Sequence, residues 1–159
     1  MEADFDSVWS RVSGNASREA PEAQLRRFLL SETEDVCMLK KMLRQTCDAF
    51  LCRKLTQVCT EKSRQIKRLR AACYLMTGEC EYPASAQKEF SQELLQRLRS
   101  LYERVCSEAA DYRKAASETD RTGLEVIYAS MAEAESRHAE CLADCVERML
   151  CLSGPKAPI

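Results

Sequence analysis

The sequence predicts an all-α protein, a four-helix bundle made of two tandem helical hairpins. Apolar residues recur at intervals of three and four along four long segments, which is the spacing of one helix face. Glycine and proline occur only four times each in 159 residues, mostly near the ends and in one central stretch, which favours long helices over many short strands. The chain therefore divides into an N-terminal segment over 1–20, a bundle over 21–152 and a tail over 153–159.

The first hairpin is predicted from two apolar stripes. Pro21 opens the first helix, because proline suits a first helical turn. Asp48 can cap the second helix, which Gly78 and Pro83 then end. The first stripe contains Leu25, Phe28, Leu29, Glu32, Val36, Leu39 and Leu43, and the second contains Leu51, Leu55, Val58, Lys62, Gln65, Leu69, Cys73 and Met76.

The second hairpin follows the same plan. The segment "SETDRTG" separates its helices and "SGP" closes the second of them. Helices two and three are expected to run parallel, joined by a link over 77–87, with simple up-down-up-down topology as the alternative. A short extra helix around "DFDSVWSRV" is expected to place Phe5 and Trp9 against the bundle. The stripes contain Leu94, Leu98, Leu101, Val105, Ala109, Tyr112 and Ala116, then Leu124, Tyr128, Met131, Glu135, His138, Leu142, Cys145 and Met149.

The two halves of the bundle repeat. A shift of 73 residues lays the first half on the second without a gap, with Leu25 on Leu98 and "KSRQIKRL" on "ESRHAECL". The same shift aligns three pairs of positions inside the apolar stripes, where the residue types differ between the halves. These pairs are Glu32 with Val105, Lys62 with Glu135, and Gln65 with His138.

Several of these residues match part of a metal-binding pattern. Bundles that hold two metal ions place one Glu on each of two helices and Glu-x-x-His on each of the other two, because residues three apart share a helix face. Glu32, Glu135 and His138 fit this pattern, and their oxygen and nitrogen donors suit iron or manganese. Since the chain has one histidine, a full di-iron centre is not expected. The expected cofactor is either none or a single divalent metal. The degenerate positions of the site are Lys62, Gln65 and Val105.

Three segments resemble the ferritin-like, rubrerythrin-type four-helix bundles over roughly residues 22–151. They are "RRFLLSETEDVCMLKKM", "RLRAACYLMTGECEY" and "MAEAESRHAECL". The resemblance implies a di-iron carboxylate ancestry, with peroxide reduction, oxygen chemistry or iron storage as activities. It carries over Glu32, Glu135 and His138 as metal ligands, and Glu61 as a substitute ligand if the second helix is rotated by one residue. It also implies a homodimer.

Three interpretations of the pair Glu135 and His138 remain open at this stage. Together with Glu32 the pair could hold one metal ion. The pair could instead be a relic, with the Lys62 ammonium bound to both glutamates and with His138 and Gln65 completing the hydrogen bonds. The polarity could also be accidental, on a partly exposed face. Charge arithmetic favours the relic, because two carboxylates in a bundle core are costly unless a cation lies between them.

The function predicted from the sequence is that of a non-catalytic, metal-poor structural or interaction protein. The alternative is a rubrerythrin-like oxidoreductase with an atypical site at Glu32, Glu135 and His138, which would need an external electron donor. A third class, a thiol-based redox or metal-handling protein, would need exposed thiols of low pKa.

Composition bounds the partners and the compartment. A net charge of −1 and the absence of a long apolar run predict neither nucleic-acid nor membrane partners. An acidic N-terminus without a signal-peptide core predicts a cytoplasmic protein. Its ten cysteines, which form no C-x-x-C pair, are then expected to be thiols packed mainly as small apolar residues.

Overall fold

The computed structural model describes residues 18–80, 82–84 and 93–154. These residues form four helices and no strand, which confirms the all-α prediction. The helices are α1 (Pro21–Leu43), α2 (Ala49–Thr77), α3 (Leu94–Glu118) and α4 (Thr122–Ser153). The predicted helix with Phe5 and Trp9 lies outside the described residues.

Local sequence signals fix the ends of the first two helices. Pro21 stands in the first turn of α1, as predicted. Asp48 caps α2, because its carboxylate accepts a hydrogen bond of 2.9 Å from the backbone N–H of Leu51. Gly78 ends α2 with a φ of 74°, a left-handed conformation that glycine adopts without a Cβ penalty.

Helices α1 and α3 run antiparallel. Arg97, near the start of α3, donates a hydrogen bond of 3.0 Å to Gln45, just beyond the end of α1. At the other end, the ring of Tyr112 on α3 stacks on Phe28 near the start of α1, with 4.0 Å between centroids. The start of α3 therefore lies beside the end of α1, and the end of α3 lies beside the start of α1.

Helices α2 and α4 are also antiparallel. Lys54, early in α2, forms an ion pair of 2.9 Å with Asp144, late in α4. Arg68, late in α2, donates to Ser130, early in α4. Since α1 and α2 are joined by a short turn and α1 opposes α3, helices α2 and α3 are parallel, as the sequence predicts.

The interior has two apolar clusters at different levels of the bundle. The upper cluster lies where α1 and α4 begin, and the lower cluster lies where α2 and α3 begin. The upper cluster contains Leu25, Phe28, Leu29, Leu69, Ala72, Cys73, Tyr112, Ala115, Leu124, Tyr128, Met131 and Ala132. The lower cluster contains Met38, Leu39, Met42, Leu51, Leu55, Val58, Leu98, Leu101, Val105, Leu142 and Cys145.

Each helix is amphipathic, with its apolar face buried in the bundle and most of its charged residues on the outer face. Within the part of the chain that the structure describes, no helix is long and apolar enough to cross a membrane. No disulfide bond joins the ten cysteines, all of which fall in that part, and Cys73 and Cys145 are buried in the apolar clusters.

Candidate functional site

A lysine amine lies among four carboxyl groups between the two apolar clusters. Lys62 projects from α2, with its Nζ 2.9 Å from Glu32 Oε2 and 3.0 Å from Asp35 Oδ2, both on α1. The same nitrogen is 3.3 Å from Glu108 Oε2 on α3 and 2.8 Å from Glu135 Oε2 on α4. We call these five residues the carboxylate cluster. Every helix contributes at least one of its members, so the cluster connects all four.

The carboxylate cluster is closed to solvent. The side chains of Lys62, Glu32, Asp35 and Glu135 are fully buried, and that of Glu108 is 9% exposed. Charges buried in this way are costly unless they are paired and hydrogen-bonded. The arrangement exists because each helix places its polar residue on the same inward stripe as its core leucines.

Neighbouring side chains satisfy further carboxylate oxygens. The Tyr112 hydroxyl donates to Glu32 Oε1 at 2.9 Å, and the Ser31 hydroxyl donates a short hydrogen bond to Glu108. The half-buried guanidinium of Arg104 lies 3.0 Å from Asp35 Oδ1 and so supplies a second cation at the edge of the cluster. The apolar stripe of the third helix predicts an inward Tyr112, and the structure confirms this.

Four carboxyl groups face only two cations, and their pKa values reflect this imbalance. Burial raises the pKa of Glu32 to about 8, with Glu135 and Glu108 adding to the shift and Lys62 opposing it. Burial likewise raises the pKa of Asp35 to about 8, against the attraction of Lys62. Near neutral pH these two groups therefore retain protons, which reduces the charge that Lys62 must balance.

The Asp35 carboxyl is paired with two cations by charge and not by hydrogen bonds. Its oxygens lie 3.0 Å from Lys62 Nζ and 3.0 Å from the Arg104 guanidinium, yet neither contact has hydrogen-bond geometry. Burial is the largest cause of the raised pKa of Asp35, and the charges of Lys62 and Arg104 oppose it.

The pKa shifts of Lys62 and Glu135 both favour the charged form of the side chain. Burial alone would lower the pKa of Lys62, but the four surrounding carboxyl groups outweigh it and hold this pKa well above its ordinary value. Burial would raise the pKa of Glu135, but Lys62 and the hydrogen bond from His138 lower it. We infer that Lys62 and Glu135 form the charged pair at the centre.

His138 lies at the edge of the carboxylate cluster, between two carboxylates. Its Nδ1 is 3.2 Å from Glu135 Oε1, and its Nε2 is 2.8 Å from Glu61 Oε2. The imidazole therefore connects the carboxylate cluster to Glu61 on α2. Burial opposes the shift at Glu61, but the His138 hydrogen bond lowers its pKa.

One predicted contact is wrong. Gln65 was expected to complete the hydrogen bonds of the site, but both its amide atoms are buried without a hydrogen-bond partner among the described residues. Gln65 lies one helical turn after Lys62, and its amide makes no hydrogen bond with the members of the carboxylate cluster. Val105 is buried in the lower apolar cluster, and its hydrocarbon side chain has no atom that could bind a metal or form a hydrogen bond.

Two members of the cluster, Asp35 and Glu108, were not predicted from the sequence. The 73-residue repeat contains a signal for them, because it aligns Asp35 with Glu108, each three residues beyond Glu32 and Val105. A search of the i+3 positions on α1 and α3 would have found both.

The residues present do not fit a di-metal centre. Oxygens of Glu32, Glu108 and Glu135 lie within 4.8 Å of one another, which is close enough for shared ligation. However, Lys62 Nζ lies 2.8–3.3 Å from these three groups and fills the space between them. An ammonium cannot ligate a metal, and its charge opposes a cation bound beside it.

Comparisons with known proteins find no match: neither a family model, nor a curated protein, nor a solved structure matches this chain. Membership of the ferritin-like superfamily therefore stays a prediction from the three segments of the sequence that resemble it. The geometry of the carboxylate cluster is the basis on which a function can be proposed.

Proposed function

We propose that this chain is a ferritin-like bundle without a working di-metal centre, acting as a structural or interaction protein. Lys62 takes the position that the metal ions occupy in the di-iron members of that superfamily. The observation that carries the proposal is the fully buried Lys62 amine, within 3.3 Å of carboxylates from the other three helices. Its charge performs the neutralisation that a metal would otherwise provide.

The chemistry of the site also supports a non-catalytic role. The reacting groups of an enzyme must reach a substrate, whereas the carboxylate cluster is closed by apolar layers on two sides. Its cation is bound by four carboxyl groups and has no position open to a ligand. A set of this kind holds helices in one register, because any slip separates the charges.

One observation favours a second candidate, an oxidoreductase with an atypical metal site. Glu32, Glu108 and Glu135 would offer three carboxylate oxygens if Lys62 swung away. This differs from the ligand set predicted from the sequence, since Glu108 takes the place of His138. The two candidates predict different metal contents for the purified protein.

Metal analysis of protein purified without chelator tests the proposal. We expect the wild-type chain to contain no stoichiometric iron or manganese, even after incubation with Fe²⁺ or Mn²⁺. We expect Lys62→Ala to bind one divalent cation, because the substitution removes the competing charge and opens space among the carboxylates. Lys54→Ala is the matched control, since Lys54 lies on the same helix and pairs with Asp144 at the surface.

Two results would contradict the proposal. Stoichiometric metal in the wild-type protein, lost in Glu135→Gln, would show that the carboxylates ligate an ion despite Lys62. Reductant-dependent peroxide consumption by the metal-loaded wild type would then support the oxidoreductase.

A further inference from the structure

An apolar groove runs along the outer surface of α3 and α4, away from the carboxylate cluster. It lies where α3 begins and α4 ends, and its volume of about 830 Å³ is within the range of binding pockets. Tyr102 and Leu150 are exposed in it, at 38% and 56% of their surface. Exposed apolar residues grouped in one groove mark an interaction surface more often than isolated ones do. The lining includes Leu95, Arg99 and Tyr102 from α3 and Ala143, Val146 and Leu150 from α4.

The N-terminal segment, residues 1–17, has an apolar pattern whose partner surface the sequence alone does not identify. Phe5, Val8, Trp9 and Val12 recur at intervals that place them on one face of a helix, and the charged residues of the segment occupy other positions. A helix as short as this is marginal in water by itself. The predicted helix therefore needs an apolar surface of the bundle to pack against.

The segment is long enough to reach the groove. The start of α1 lies beside the end of α3, since Arg27 and Asp111 are 4.0 Å apart. At about 1.5 Å of rise per residue, Tyr102 lies about 23 Å from the start of α1 along the bundle. Residues 13–20 span up to roughly 26 Å when extended, and the predicted helix itself adds about 12 Å. The helix can therefore lie on the groove while its chain continues into α1.

A second groove between α3 and α4 fits the predicted helix less well. It is formed by the end of α3 and the first half of α4, and the apolar residues that line it are all alanines. Its other lining residues are serines and charged residues, which include Arg113 and Glu133. Large side chains such as Phe5 and Trp9 gain most from contact with other large apolar side chains. Tyr102 and Leu150 offer such contacts only in the first groove.

We propose that residues 5–12 dock as a short helix in the groove lined by Tyr102 and Leu150, within their own chain, and bury Trp9 there. The occupant is the chain's own segment because residues 13–20 tether it, which gives it an effective concentration on the order of millimolar at the groove. A separate molecule has no such advantage. The inference goes beyond the proposed function, because none of these residues belongs to the carboxylate cluster and the metal experiment does not depend on them.

The fluorescence of Trp9 tests the proposal, because Trp9 is the single tryptophan of the chain. We expect the full-length wild type to emit at short wavelength and to be shielded from acrylamide, equally at about 1 and 100 µM, since docking within one chain does not depend on concentration. Tyr102→Ser and Leu150→Glu are each expected to weaken docking at least about tenfold, because they replace apolar contacts with polar groups. Emission should then move to longer wavelength, and acrylamide quenching should increase.

Matched controls replace exposed apolar residues outside the groove. Val126, near the start of α4, is 60% exposed, and Leu75, near the end of α2, is 83% exposed. We expect Val126→Glu and Leu75→Glu to leave the emission of Trp9 unchanged, and helical circular dichroism checks that every variant folds.

Three results would overturn the proposal. In the first, Trp9 is as accessible to acrylamide in the folded wild type as in urea. In the second, Trp9 is shielded, but both groove variants leave it so or a control variant exposes it, because the segment then docks elsewhere. In the third, the shielding is lost on dilution, because the segment then binds a second molecule and not its own chain.

Discussion

The carboxylate cluster and the apolar clusters are equally buried but are stabilised differently. Each leucine of the apolar clusters contributes by removing its own surface from water, so its contribution depends little on one particular neighbour. Lys62 and its four carboxyl groups contribute only as a set, because each charge is costly without the others. The comparison shows that one layer of the bundle is sensitive to charge and pH, whereas the layers on either side are sensitive to volume.

The two kinds of layer also differ in what they specify. Apolar layers tolerate exchange among residues of similar volume. The charged layer accepts one arrangement, in which α2 supplies the cation and the other three helices supply the carboxyl groups. We infer that the carboxylate cluster fixes helix order and register, while the apolar clusters supply most of the stability.

The largest expected effect comes from breaking the charged layer. Lys62→Met keeps a similar volume but removes the cation, and we expect a loss of about 3–5 kcal/mol in the free energy of unfolding near pH 7. Urea denaturation measures it. Lys54→Met is the matched control and should cost less than about 1 kcal/mol, because its partner Asp144 is at the surface. Equal costs for the two variants would contradict the account.

Shortening a leucine in the apolar clusters should lower the free energy of unfolding by an amount that does not depend on pH. We expect Leu69→Ala in the upper cluster and Leu55→Ala in the lower cluster each to lose about 2–4 kcal/mol by leaving a cavity. The loss should be the same at pH 6 and pH 8, since no titrating group is removed. A truncation cost that changes strongly with pH would show that the layers are not independent.

The third prediction concerns pH. The pKa values of Glu32 and Asp35 lie near 8 in the folded protein, above their ordinary values of 4.5 and 3.8. Between the ordinary pKa values and pH 8, the folded protein keeps protons on Glu32 and Asp35 that the unfolded chain has released. The free energy of unfolding therefore has its full value below about pH 4 and falls as pH rises toward 8. The slope is about 1.4 kcal/mol per pH unit for each such proton. Urea denaturation between pH 6 and pH 8 measures it, and Glu32→Gln should make the slope less steep by one proton. A wild-type stability that rises across this window would contradict the prediction.

A smaller effect is expected at the edge of the carboxylate cluster. Tyr112→Phe removes the hydroxyl that donates to Glu32 Oε1 and leaves that oxygen without this donor. We expect a loss of about 1–2 kcal/mol, most of it the cost of an unsatisfied buried group. Tyr128→Phe is the control, because the buried Tyr128 hydroxyl has no hydrogen-bond partner among the described residues. Stability curves of the two variants should therefore separate, with Tyr128→Phe at or above the wild type.

The smallest effect should have the opposite sign. Both polar atoms of Gln65 are buried without a hydrogen-bond partner in the described part of the chain. Gln65→Met keeps the length of the side chain and removes these atoms, so we expect a gain of up to about 1 kcal/mol. A loss of stability measured by thermal unfolding would indicate that Gln65 has a partner, such as a bound water or ion.

The fold could be predicted from the sequence because its signals are local. Each signal acts within one or two turns of a helix. Pro21 predicted the start of α1, and Asp48 and Gly78 predicted the start and the end of α2. The parallel arrangement of α2 and α3 was expected from a ferritin-like topology, whereas the repeat of two hairpins alone also allowed the up-down-up-down alternative. The predicted helix that includes Trp9 stays a prediction, since it lies outside the described residues.

The site could be predicted only in part, because its geometry depends on four helices at once. The Lys62 amine lies between Glu32 and Glu135, as one of the three interpretations predicted from the register of the repeat and from charge balance. Asp35 and Glu108 were not found, because only the positions that match the metal-binding pattern were considered, although both lie three residues beyond such a position on the same helix face. His138 lies between Glu135 and Glu61, and its role as a metal ligand stays a prediction.

Nitrogen NMR of the lysine side chains tests the central claim most directly. In protein carrying ¹⁵N-labelled lysine, we expect one slowly exchanging ammonium signal, absent in Lys62→Arg, that persists when Mn²⁺ is added. Its persistence would show a buried Lys62 ammonium bound among carboxylates with no metal beside it. The account would be contradicted if Lys62 exchanged as rapidly as surface lysines, or if stoichiometric Mn²⁺ broadened its signal beyond detection.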